Sequence, residues 1–125
     1  MLDDFKINIS GNLDFSLPEM VKVKQKFESR GLPNISEAVY NQMDRKEIKD
    51  LVKPGSKIAV GVGSRGVANI SKVVGSLVYS LKNLGAKPFI FPAMGSHGGG
   101  TVENQTALLA GYGVTEENIG AEVRA

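Results

Sequence analysis

The feature that most constrains this chain is a helix-length apolar stripe held between two short strand-like runs. From Ile70 the apolar residues Val73, Val74, Leu77, Val78, Leu81 and Leu84 fall at i+3, i+4, i+7, i+8, i+11 and i+14, one continuous face at the helical period. Lys57 to Val62 before the stripe and Lys87 to Phe91 after it are apolar runs of strand length. Asn69 stands where a helix is capped and Gly85 where one ends. Pro92 stops the second strand. Strand, helix and strand with such short connections call for parallel strands joined by the helix as a crossover.

The flanking residues extend the pattern. Thr101 opens another helix reaching about Tyr112, and Gly113 ends it. A short helical turn spans Thr115 to Ile119, and Ala121 to Arg124 begins a further strand. Upstream, helices are predicted near 36–43, with Ser36 as cap, and near 44–52, stopped by Lys53-Pro54-Gly55. Met20 to Phe27 alternates as a strand would, with Lys22, Lys24 and Lys26 on one solvated face. Ser10-Gly11-Asn12 reads as a turn. The fold class is therefore α/β: a mostly parallel sheet with helices on both faces, in one domain over residues 1–125. The last strand stops at Ala125 with no helix to close it, so the domain is expected to be incomplete, the front of a longer polypeptide. An uncovered sheet edge in such a piece would allow a homodimer.

Several function classes are excluded by what the chain lacks. With no cysteine, it has no disulfide, thiolate metal site or cysteine nucleophile. A net charge of +2, no Trp and 6% aromatic residues do not supply the basic patch and stacking platforms of a nucleic-acid binder. No apolar run approaches the roughly 20 residues of a membrane span, and the start of the chain has no apolar signal segment. A cytoplasmic location is expected.

Two glycine-rich turns carry the candidate chemistry. Gly61-Val62-Gly63-Ser64-Arg65-Gly66 follows a predicted strand and precedes a helix, as the G-x-G-x-x-G dinucleotide fingerprint does. The acidic residue that such sites place about twenty positions on, for the ribose, is missing: no Asp or Glu occurs between Arg65 and Glu103. The second turn is Gly95-Ser96-His97-Gly98-Gly99-Gly100-Thr101, whose successive glycines before a helix suit backbone N–H groups converging on an anion. Both turns lie at the carboxyl ends of predicted parallel strands, where such sheets bind ligands.

Together the turns offer Arg65 to grip a carboxylate or phosphate by a two-pronged hydrogen bond. His97, the one histidine of the chain, would move a proton, and Ser64 and Ser96 would add hydrogen bonds. Gly98, Gly99, Gly100 and Thr101 are candidates for holding a cofactor. No metal set lies within the chain. Three readings remain open on the residues alone: an enzyme for a small anionic substrate, a non-catalytic anion- or nucleotide-binding module, and a dinucleotide-dependent oxidoreductase domain.

The ordered runs Gly63-Ser64-Arg65-Gly66-Val67-Ala68-Asn69-Ile70, Gly85-Ala86-Lys87-Pro88-Phe89-Ile90 and Pro92-Ala93-Met94-Gly95-Ser96-His97-Gly98-Gly99 resemble the N-terminal domain of the nickel-dependent lactate racemase family. The likeness runs from about residue 20 to the end of the chain. It implies racemisation or epimerisation of a 2-hydroxy acid with a nickel-pincer nucleotide, a pyridinium-derived group that takes hydride from the substrate. By the same resemblance Arg65 matches the carboxylate-binding arginine and His97 one of two proton-transferring histidines. The second histidine, the cofactor-tethering lysine and the nickel-ligand histidine would belong to the remainder of the parent polypeptide. The chain departs from the family's Asp-x-Thr-Arg-Pro, reading Val62, Gly63, Ser64, Arg65, Gly66, and from its Thr-His-Arg, reading Ser96, His97, Gly98. Those departures favour a larger, sugar-derived hydroxy acid over lactate.

Overall fold

The structure, a computed structural model, describes residues 19–28 and 31–125. They divide into two units, residues 19–28 lying in the first and Gly31–Ala125 forming the second. In the first, residues 19–28 form no helix or strand, and Met20, Val21, Val23 and Phe27 are exposed. The strand expected from Met20 to Phe27 is therefore absent. Alternation marks a segment able to pair, but a strand exists only when another backbone supplies its hydrogen bonds. The turn expected at Ser10-Gly11-Asn12 lies outside the described residues.

The second unit is a mixed α/β arrangement. In order it contains α1 (Ile35–Met43), α2 (Lys46–Leu51), β1 (Lys57–Val62), α3 (Ile70–Asn83), β2 (Lys87–Pro92), a 3₁₀ turn (His97–Gly100), α4 (Val102–Gly111) and α5 (Glu116–Ile119). β1 and β2 pair in parallel from Lys57 opposite Lys87 to Val62 opposite Pro92. The further strand expected at Ala121 to Arg124 is reduced to one parallel bridge, Ile90 to Val123. There the Ile90 N–H donates to the Glu122 carbonyl, and the Arg124 N–H donates to the Ile90 carbonyl, both at 2.8 Å. β2 thus runs between β1 and this bridge.

Side-chain alternation decides which face of the sheet is covered. Val60, Val62 and Ile90 are buried with Val74, Val78 and Leu81 of α3, and Leu109, Val114, Ile119 and Ala121 complete the cluster. The stripe read from the sequence is thus the face that α3 buries. On the opposite face of the sheet Lys57, Ala59, Gly61 and Phe91 are exposed. Arg124 lies over the Phe89 ring, 4.4 Å from its centroid, and bonds Glu122 Oε2 at 2.6 Å. That hydrogen bond holds the Glu122 carboxyl below its ordinary pKa. A depressed carboxylate supports the fold above its unfolded pKa and loses that support as pH falls through the folded value. Acidification is therefore expected to lower the protection factors of the Ile90 and Arg124 amides, measured against their intrinsic exchange rates at each pH, before those of the core amides of α3.

Helix boundaries follow local chemistry, with two differences from expectation. α1 is capped by Asn34, whose Oδ1 accepts the Glu37 N–H at 3.2 Å. Ser36 instead sits inside the helix and meets the Ser76 hydroxyl at 2.9 Å. Asn69 precedes α3 but lies in the left-handed region, φ 57°, and its side chain makes no capping bond. Gly85 ends α3 as expected, at φ +82°, and a Cβ there would lie 3.2 Å from Pro54 Cβ and 3.3 Å from Pro54 Cα. Gly85→Ala combines a disfavoured backbone with a crowded neighbour. It is expected to lower stability by about 1–3 kcal/mol in urea denaturation.

Candidate functional site

Because β1 and β2 are parallel and in register, their following loops leave the same end of the sheet. The first loop runs from Gly63 to Asn69 and the second from Ala93 to Gly100. Pairing continues one step past the strands, where the Ala93 N–H donates to the Val62 carbonyl at 2.9 Å. Beyond that step the two loops meet through side chains. Ser64 Oγ and His97 Nδ1 lie 2.6 Å apart, joining residues 33 positions apart in sequence. Both residues are half-buried. With Nδ1 engaged by Ser64, Nε2 is the ring nitrogen left to exchange a proton.

The predicted site residues are not all gathered into one hollow. Arg65 and Ser96 are exposed. Arg65 follows Ser64 and lines a small cleft of about 50 Å³ with Val67, Ile70 and Tyr112. His97 lines a separate open cleft of about 380 Å³ with Gly98, Asn104, Ala107 and Leu108. Among the described residues Arg65 makes no ion pair, so its guanidinium is available to an anion. Ser64 is the residue the two loops have in common: it belongs to the first and bonds the histidine of the second.

The glycines have structural reasons of their own. A Cβ on Gly61 would lie 3.0 Å from Phe91 Cζ and 3.1 Å from Ala93 Cβ, so packing across the strands accounts for the first position of the G-x-G-x-x-G run. Gly98, Gly99 and Gly100 have φ of 69°, 71° and 69°, three left-handed residues in succession, which side-chain-bearing residues resist. Gly98 also lies against α4, where a Cβ would meet Leu108 Cδ1 at 3.0 Å. Thr101 caps α4, its Oγ1 accepting the Asn104 N–H at 3.3 Å. Among the described residues no group of three or more His, Cys, Asp or Glu is placed to hold a metal ion.

Two residues that the sequence does not single out also touch the loops. Tyr112 Oη donates to the Ser64 carbonyl at 2.7 Å. Gln105 Nε2 donates to the Gly95 carbonyl at 2.7 Å and to the His97 carbonyl at 3.1 Å. Their spacing of seven, two helical turns, is the available signal, but it carries meaning only once α4 is known to face the loops. No protein-family model matches the chain, and no curated protein or solved structure matches it.

Proposed function

We propose that this chain is the N-terminal part of an enzyme that racemises or epimerises a 2-hydroxy acid, with Arg65 gripping the carboxylate and His97 moving the hydroxyl proton. The observation that carries the reading is the 2.6 Å Ser64–His97 bond, which ties two glycine-rich loops together at the carboxyl end of paired parallel strands. The resemblance of those two loops to the nickel-dependent racemases supports the same roles. In this reading the sheet continues into a larger parallel one, covered by helices on both faces.

The chemistry asked of the described residues is limited. A guanidinium fixes the acid by charge-assisted hydrogen bonds to both carboxylate oxygens. An imidazole held through Nδ1 presents Nε2 to the 2-hydroxyl and would take its proton and later return it, while a nickel-pincer nucleotide would accept the hydride from the carbon and give it back. Ser64 orients the ring, and Ser96, the residue before His97, is exposed. By the resemblance, the residues that hold that nucleotide belong to the remainder of the parent polypeptide.

The test is a titration of the isotopically labelled chain, followed by amide shifts, with lactate, gluconate, inorganic phosphate and NAD in turn. Saturable shifts with a hydroxy acid are expected over Ser64–Val67 and Gly95–Thr101. Arg65→Ala should weaken that binding about tenfold to a hundredfold. A hydroxy acid that shifts neither loop, or binding indifferent to Arg65→Ala, would overturn the assignment. Saturable NAD binding at low micromolar concentration would favour a dinucleotide-dependent oxidoreductase. Phosphate binding with no hydroxy-acid binding would favour a non-catalytic anion module.

A further inference from the structure

We infer that α4 acts as a latch on both loops, with Gln105 and Tyr112 as positioning residues for the Ser64–His97 pair. This rests on the proposed racemase site, and it names parts of that site not assigned so far. Gln105, Leu108 and Tyr112 follow one another at i, i+3 and i+7, a single stripe along a helix. Each touches a loop. Gln105 holds two carbonyls of the second loop, at Gly95 and His97. Leu108 fills the space beside Gly98 that a Cβ would need. Tyr112, at the helix end, reaches back to the Ser64 carbonyl of the first loop.

The latch answers a mechanical problem set by the glycines. The second loop carries four residues in the left-handed region, Gly95, Gly98, Gly99 and Gly100, and a glycine chain has many alternatives to any one conformation. The Ser64–His97 bond joins two loop residues, so it cannot by itself fix either loop against the scaffold. Gln105 and Tyr112 fix both against one rigid helix, which Thr101 caps and Leu109 anchors in the core. The latch bonds end on backbone carbonyls, leaving the Ser64 hydroxyl and the His97 ring free to bond each other.

Tyr112→Phe and Gln105→Met each remove a donor and keep the bulk of the side chain. The readout is the ring nitrogen shifts and tautomer balance of His97, with Ser64→Ala as the reference for a broken Ser64–His97 bond. Both variants are expected to move the ring signature part of the way toward Ser64→Ala, while the methyl signals of Ile90 and Leu109 stay in place. Hydroxy-acid affinity is expected to fall about twofold to tenfold. An unchanged ring signature in both variants, with Ser64→Ala clearly displaced, overturns the latch even if a hydroxy acid binds. A displaced signature in a chain that binds no hydroxy acid sustains the latch and removes the racemase reading instead. Should Gln105→Met fail to fold, Tyr112→Phe decides, since it removes one oxygen at a partly exposed position.

Discussion

Ile90→Ala is expected to cost about 2–5 kcal/mol, a larger loss of stability than Gly85→Ala should produce. Ile90 is fully buried at the middle of β2, with Val60 opposite it in β1 and Val123 opposite on the other side. A cavity at that point has little freedom to collapse, because both neighbouring backbones are fixed to the Ile90 amide and carbonyl or to the rest of β2. Domains of this size are stable by about 5–15 kcal/mol, so the loss takes a large share of the total. Urea denaturation followed by far-ultraviolet circular dichroism measures it. A loss within ~0.5 kcal/mol, the range of an ordinary surface change, would mean that the core is not organised around β2.

The second large effect concerns turnover. On the proposed racemase reading, in a longer polypeptide carrying the nickel-pincer nucleotide, His97→Ala is expected to lower kcat about a hundredfold to ten-thousandfold, the range for removing one general acid–base group. KM should change far less, because the proposed site gives the carboxylate to Arg65 and not to His97. Racemisation followed by polarimetry or chiral chromatography gives both constants. Unaltered kcat would show that the proton travels by another route, and a rise confined to KM would make His97 a binding residue.

Legibility in the sequence tracks how local the determining physics is. The stripe from Ile70 to Leu84 and the two runs beside it identify α3, β1 and β2 closely, because each is set by periodicity within a few residues. Gly85 is readable for the same reason. Met20 to Phe27 misleads because alternation reports a willingness to pair and says nothing of whether a partner exists. Asn69 and Ser36 occupy capping neighbourhoods, yet neither caps: one sits in a left-handed backbone, and the other is drawn to Ser76, 40 residues away. Those outcomes depend on tertiary contacts that no local pattern encodes.

The candidate site divides in the same way. That the two glycine-rich loops share one end of the sheet follows from parallel pairing alone. The bond between Ser64 and His97 depends on rotamers, and the roles of Gln105 and Tyr112 depend on how α4 docks. Sequence reasoning brings Arg65 and His97 side by side, whereas in the structure they line different clefts. The 2-hydroxyl lies on the carbon next to the carboxylate in every 2-hydroxy acid, so the proposed roles require the substrate to sit where the two clefts adjoin, at Ser64.

The consecutive left-handed glycines have a thermodynamic consequence. Glycine gives up more backbone entropy on folding than any other residue, by roughly 0.5–1 kcal/mol relative to alanine at each position. The stretch from Gly98 to Gly100 is therefore the part of the chain that gains most from melting as temperature rises. A ligand that freezes it should bind with a favourable enthalpy and an opposing entropy, so warming should weaken recognition well before the domain itself unfolds.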